Sequence, residues 1–202
     1  MKEILFATNN KTKSQRFTKG LEKHNIKVLT PKDLELNISV DENGPDAISN
    51  ALIKARAYAK KVNIPVFAMD DTLYLENVPT DKQPKTLVRR VNGKTLTDEQ
   101  MIEHYTKLVK EYGQNGEITA CWIYGMALIN NGQESTYTWK KENFVLKSTK
   151  TNKINPGYPL NSISFNIKLN KYFTDITEED KKLIQEDESD VINFIIDSLN
   201  KS

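Results

Sequence analysis

The amino-acid sequence predicts an α/β protein built on a mixed β-sheet, and three observations carry that expectation. Short apolar runs alternate with segments of helical periodicity over the first half of the chain, the pattern that produces strand-helix-strand units. In the second half an Asn131-Gly132 pair joins two β-patterned stretches, the strongest short hairpin signal and hence an antiparallel component. No internal repeat, low-complexity segment or linker divides the 202 residues, so one domain with two lobes is expected.

Residues 2–8 form a short apolar run closed by Asn9-Asn10, which predicts a buried strand. From Thr12 or Lys13 to about His24, Phe17 and Leu21 recur four apart among charged residues, so a helix is expected to follow the 8–13 loop. Backbone N–H groups and the positive dipole end at such a helix start favour an anion. Pro45 is expected in the first turn of a second helix, whose stripe of Ile48, Leu52, Ala55, Ala59 and Val62 runs to about Asn63. Residues 65–69 predict a short strand leading into Asp70-Asp71. Thr97 and Gln100 have capping-box spacing and open a third helix, with Met101, Tyr105, Leu108 and Tyr112 on one face and Gly113 as its stop. Strands are expected at 118–129, 133–139, 144–148 and 163–167, and helices at 177–186, capped by Thr177 and Asp180, and at 189–200. The stretch 76–97, rich in Pro, Lys and Thr, reads as a loop.

Composition excludes several classes. With 38% hydrophobic and 28% charged residues the chain is ordinary for a globular protein, and no run approaches the roughly 18 apolar residues of a membrane span. Its opening residues lack the apolar core of a secretory signal, so a cytoplasmic protein with no membrane partner is expected. A net charge of +2 with Lys and Glu interspersed makes no clustered basic face, so no nucleic-acid partner is expected. Cys121, the single cysteine, lies in an apolar run and is expected to be a small buried thiol. His24 and His104 fall on expected helices without metal-ligand spacing, and neither a Walker-type nor a dinucleotide-binding glycine motif occurs.

Four features remain that could carry chemistry: the 8–13 loop, Glu42, Lys54 and the Asp70-Asp71 pair. Each has an ordinary structural reading, as a polar connection that caps a helix, as solvated surface charges, or as an acidic pair exposed at a turn. Together they suit phosphoanhydride cleavage. A polyphosphate needs backbone N–H groups and lysines, a hard cation such as Mg²⁺ needs carboxylate oxygens, and a carboxylate near the cation can orient or deprotonate water.

The order and spacing of these motifs resemble the inosine/xanthosine triphosphate pyrophosphatase family. Phe6-Ala-Thr-Asn-Asn-Lys-Thr-Lys13 resembles its A-T-x-N-x-x-K signature, and Asp41-Glu42-Asn43-Gly44 its acidic E-x-G segment. Asn50-Ala-Leu-Ile-Lys54-Ala55 is similar to its N-A-x-x-K-A helix, Ala68-Met-Asp-Asp-Thr72 to its A-D-D-S segment, and Pro84 through Arg90 to Gly93 to its P-G-x-x-S-A-R-x-x-G loop. The resemblance covers essentially the whole chain. It implies a curved, mixed central β-sheet flanked by helices, two lobes around a deep cleft within a single domain over 1–202, and a homodimer. It further implies hydrolysis of a nucleoside triphosphate to monophosphate and pyrophosphate by water attack at the α-phosphorus. Thr8, Asn9, Asn10 and Lys13 would hold the triphosphate with Lys54, and Glu42 and Asp71 would bind Mg²⁺, with Mn²⁺ as a substitute. Asp71 or Asp70 would activate water, Thr72 would contact phosphate or ribose, and Arg90, Tyr158, Asn161 and Lys181 would complete the substrate site.

The C-terminal third departs from the family pattern. Gly157-Tyr-Pro-Leu-Asn-Ser162 stands where the family has G-F-G-Y-D-P, keeping an aromatic at Tyr158 but placing Asn161 for Asp. Phe173 to Lys181 resembles T-F-A-E-L-x-x-E-E-K, yet Gln185-Glu186-Asp187 replace the S-H-R that follows. Leu73 and Ser49 also stand where a glycine and an acid are usual. Exchanging donors for carboxylates at a base-reading edge is expected to change base preference. A catalytically silent nucleotide-binding or regulatory protein on the same fold is the alternative.

Overall fold

The computed structural model describes residues 1–184 and 188–201, with Lys11 and Thr12 described by their backbone alone. In chain order the regular elements are β1 (Lys2–Phe6), α1 (Lys11–Glu22), β2 (Ile26–Leu29), α2 (Ala47–Ala59), β3 (Val66–Leu75), β4 (Arg90–Val91), β5 (Lys94–Thr95), α3 (Asp98–Tyr112), β6 (Glu117–Asn130), β7 (Gln133–Lys147), β8 (Ser164–Asn166), β9 (Lys171–Tyr172), α4 (Glu178–Leu183) and α5 (Ser189–Asn200). Seven strands form one sheet in the order β2-β1-β3-β6-β7-β8-β9, and β4 with β5 makes a separate ribbon. The sheet is mixed, as expected: β1 pairs in parallel with β2 and β3, while β8 pairs antiparallel with β7 and β9.

The chain divides into two compact units. The first comprises Met1–Asp71, Tyr124–Trp139 and the described residues from Glu188 onward. The second comprises Thr72–Ile123 and the described residues of 140–187. In the first unit the apolar runs of β1 and β3 are buried on both faces, which is why they read as continuous rather than alternating. Ile4, Phe6, Phe67 and Met69 pack with Phe17 of α1 and Ile195 of α5. Their neighbours Leu5, Val66 and Ala68 turn to the opposite face and meet Ala51 and Ala55 of α2. The alanines let α2 lie close to the sheet, and β6 approaches at Gly125, where an added Cβ would stand 2.5 Å from the Ile48 nitrogen. In the second unit, α3 buries Met101, Tyr105 and Leu108 against Leu73, Ile118 and Phe144. Its N-terminus carries the expected capping box, with Thr97 and Gln100 each accepting from the other's backbone N–H.

Several expectations need correction. Asp46, not Pro45, starts α2: its carboxylate caps Ser49 N–H at 2.8 Å, and the helix closes at Ala59 rather than near Asn63. The strand expected to end at Met69 runs on to Leu75, because Leu73 and Leu75 restore buried apolar alternation after the acidic pair. The stretches 133–139 and 144–148 are one strand, β7. β2 was not expected, since four residues give too short a pattern, and His24 lies in the turn before it rather than on α1. The 76–97 loop contains a 3-10 turn at Thr80–Lys82 and the β4-β5 ribbon. Gly113 ends α3 as expected, with an extended backbone at φ −79°. Of the expected 177–186 helix, α4 spans Glu178–Leu183, and 185–187 lie outside the described residues. No helix among the described residues is long and apolar enough to cross a membrane.

Candidate active site

The two adjacent carboxylates of β3 diverge. Because β3 continues through them, alternation sends Asp71 to the face shared by Phe67, Met69 and α1, and Asp70 to the face shared by Val66, Ala68 and α2. The hydrogen bonds agree: Asp71 Oδ1 is met by the ammonium group of Lys13 on α1, and Asp70 Oδ2 accepts from Asn50 Nδ2 of α2 at 2.8 Å. The reading of both as exposed turn residues is therefore excluded. Burial pushes the Asp70 carboxyl above its usual range, opposed by the positive charges of Lys54 and Lys13 and assisted by neighbouring Asp71.

One face of α2 organises the rest. Asn50, Lys54 and Tyr58 follow one another at four-residue spacing and each reaches a different segment. Asn50 is 2% exposed; its Oδ1 accepts Gly44 N–H at 2.7 Å while its amide nitrogen donates to Asp70. Lys54 Nζ lies 2.8 Å from Glu42 Oε2, the two side chains being 14% and 26% exposed. Tyr58 shares a hydrogen bond with Asn9, and its phenol is raised by burial, with that bond lowering it and the Glu42 charge raising it. The loop before α1 behaves as the capping reading predicts. Thr8 Oγ1 accepts Asn10 N–H and Asn10 Oδ1 accepts Lys13 N–H, each at 3.2 Å, so Asn10 is the helix cap.

The first unit thus brings together Asn9, Lys13, Glu42, Lys54, Asp70 and Asp71, with Thr8 and Asn10 shaping the loop that delivers Lys13. The remaining candidates belong to the second unit. Thr72 is 1% exposed, and its hydroxyl has no hydrogen-bond partner among the described residues, a costly state for a buried polar atom. Arg90 is exposed on β4, whereas its neighbour Arg89 is engaged by Asp98 at 2.8 Å. Tyr158 precedes a 3-10 turn, Pro159–Ser162, that contains Asn161, whose N–H donates to Tyr158 O at 3.1 Å. Lys181 pairs with Glu178 at 2.6 Å. The Gln185-Glu186-Asp187 replacement lies outside the described residues. Cys121 is only partly buried, a correction to the expected buried thiol; burial raises its pKa, with Glu142 adding to the rise. Lys85, at the position of the motif's P-G glycine, adopts φ +48° and pairs with Leu73.

Asn50, Gly44 and Tyr58 were not among the site residues expected from sequence. The signal was the four-residue spacing of Asn50, Lys54 and Tyr58, polar groups on a helix face otherwise lined with alanine. A hard cation suits the oxygen ligands present. No group of three or more His, Cys, Asp or Glu side chains converges among the described residues. Mg²⁺ does not require one, since it binds through one or two carboxylates plus water and substrate phosphates.

Comparison with known proteins shows what the chain as a whole is similar to. The model of the Ham1 family matches residues 4–186. A protein of Wigglesworthia glossinidia brevipalpis named dITP/XTP pyrophosphatase is 30% identical over 182 residues, covering 90% of this chain and 89% of its own. One of the same name from Leptospira interrogans is 26% identical over 184 residues, covering 91% and 90%. Among solved structures, the Ham1 protein of Staphylococcus aureus superposes with a TM-score of 0.75 at 22% identity, covering 98% of this chain and 100% of its own. A HAM1 protein from Coxiella burnetii gives 0.75 at 20% identity with full coverage of both chains. These likenesses show the fold.

Proposed function

Since the chain belongs to the Ham1 family, we propose that it hydrolyses a nucleoside triphosphate to the monophosphate and pyrophosphate through attack of water at the α-phosphorus. The observation that carries this reading is the gathering of two lysines and three carboxylates from distant stretches of chain, at 13, 42, 54, 70 and 71, around β3 and α2. Each lysine lies on a carboxylate, Lys13 on Asp71 and Lys54 on Glu42. That is the charge balance expected of a site whose ligands are a polyanion and a cation: the ammonium groups pass to phosphate oxygens, freeing the carboxylates. Glu42 and Asp71 would hold Mg²⁺, which would supply charge neutralisation at the phosphates. Asp70 and Asp71 are the carboxylates available to orient the attacking water and take its proton. The dITP/XTP pyrophosphatase names of the relatives support the same reaction class.

Base preference is proposed to differ from that of hypoxanthine- and xanthine-selective enzymes, on the sequence at Asn161 and at Gln185-Glu186-Asp187. The roles of Thr72, Arg90, Tyr158, Asn161 and Lys181 likewise rest on the matched motifs, as does assembly as a homodimer, which light scattering would check. A panel of ITP, XTP, dUTP, dCTP and the common triphosphates, assayed with Mg²⁺ for pyrophosphate and orthophosphate, tests the proposal. Pyrophosphate as first product is expected. Orthophosphate as first product would contradict the reaction, and ITP and XTP as the best substrates by a wide margin would contradict the altered base preference.

A further inference from the structure

We propose that Asn50 is a positioning residue that clamps the Glu42 loop to Asp70 and so sets the geometry of the cation-binding carboxylates. The inference rests on the reading of Glu42 and Asp71 as cation ligands. Glu42 lies in a segment, residues 36–46, with no strand or helix of its own, so neighbouring elements must fix its position. α2 grips it twice, through Lys54 at Glu42 and through Asn50 at Gly44 N–H. The first grip is conditional, because Lys54 is also a candidate phosphate ligand and would release Glu42 when it turns to substrate. The second is not, because the Asn50 side chain, through its bonds to Gly44 and Asp70, makes no contact that substrate would take over among those of the described residues. Its amide orientation is determined as well: Oδ1 must face the Gly44 N–H, which leaves Nδ2 to hold Asp70 Oδ2. One buried side chain therefore locks the loop that carries Glu42 to the strand that carries Asp70 and Asp71.

Gly44 completes the clamp. Its φ does not lie in the left-handed region, so contact alone demands glycine there. An added Cβ would stand 2.7 Å from Ser49 Cβ and 2.8 Å from Asn50 Oδ1. Gly44 thus offers a second way to break the same lock, by crowding Asn50 Oδ1 while every side chain of the proposed site is kept.

The test titrates Mn²⁺ into the wild type, Asn50→Ala, Gly44→Ala and the double variant without nucleotide, reading the free-ion EPR signal, with circular dichroism as the check of folding. Each single variant is expected to weaken Mn²⁺ binding by about 10–100-fold, the usual cost of losing a group that orients a metal ligand. The double variant is expected to be no weaker than the worse single one, because both break one clamp. In steady-state assays the KM for nucleotide at saturating Mg²⁺ should move little, while the Mg²⁺ concentration that gives half-maximal rate rises. Should Asn50→Ala fail to fold, Gly44→Ala, in a partly exposed loop, carries the same measurement. Unchanged Mn²⁺ affinity in the singles, additive losses in the double, or a wild type that binds no Mn²⁺ would overturn the proposal. A wild type that binds Mn²⁺, loses it in the variants and hydrolyses no triphosphate would support the clamp and refute the pyrophosphohydrolase reading instead.

Discussion

Asp70→Asn is expected to stabilise the fold while damaging its activity. The substitution keeps the shape of the side chain and an oxygen able to accept from Asn50, and it removes only the charge. Burial raises the Asp70 carboxyl above the reference value of 3.8, with Asp71 adding to the rise and Lys54, Lys13 and Asn50 only partly offsetting it. A folded-state pKa above the unfolded one means that the native state binds the proton more tightly, so stability falls as pH rises from the unfolded pKa to the folded one. Below 3.8 the wild-type carboxyl is protonated in both states and tracks the amide. Above it, each pH unit up to the folded pKa adds about 1.4 kcal/mol to the advantage of the variant, which then stays constant. Urea unfolding of both proteins from acidic to neutral pH measures this difference directly. Turnover should fall by about 100-fold or more if this carboxylate handles the attacking water. An advantage that is flat with pH, or a variant less stable at neutral pH than in acid relative to wild type, would refute the placement of Asp70 as a buried, destabilising charge.

Other consequences follow from the same geometry. Lys54→Met keeps most of the side-chain stem and removes the ammonium group 2.8 Å from Glu42, so kcat/KM should drop by roughly 10–150-fold, the worth of a charge-assisted bond, while Mn²⁺ affinity without nucleotide is retained or raised. Gly125→Ala places a methyl 2.5 Å from the Ile48 nitrogen and 2.6 Å from the Ala47 carbonyl carbon, so chemical unfolding should show a loss of about 1–3 kcal/mol. Asp180 is held at about 2 by the Thr177 backbone N–H first and Lys171 second. Its contribution is present above 3.8 and is lost as pH falls through about 2, so Asp180→Asn should be less stable than wild type at neutral pH, with the gap closing over that acid window in thermal melts.

How much of this was legible in the sequence depends on the length scale of the signal. The β1 and β3 runs, the α3 capping box and the Asn131-Gly132 turn were all readable, because each is fixed by residues within a few positions of one another. Asn131 and Gly132 do adopt φ of 49° and 77°, as a tight hairpin requires. The same Asn-Gly signal at Asn92-Gly93, with φ of 51° and 75°, went unread because its flanking strands are two residues each. At β3 the acidic pair masked the strand, since two charges in an apolar run suggest its end. Only tertiary partners, Lys13 on one face and Asn50 on the other, let both carboxylates remain in the sheet. Lys13, Glu42, Lys54, Asp70 and Asp71 were singled out by residue type and motif, but their pairing was not, because it depends on which helix covers which face. Asn50 was overlooked as a site residue because a buried asparagine declares itself only through its partners.

Hydrolysis in oxygen-18 water tests the central reaction most directly. Attack at the α-phosphorus predicts that one labelled oxygen appears in the nucleoside monophosphate and none in the pyrophosphate released by a single turnover. Label in pyrophosphate or orthophosphate, with an unlabelled nucleotide product, would contradict the account.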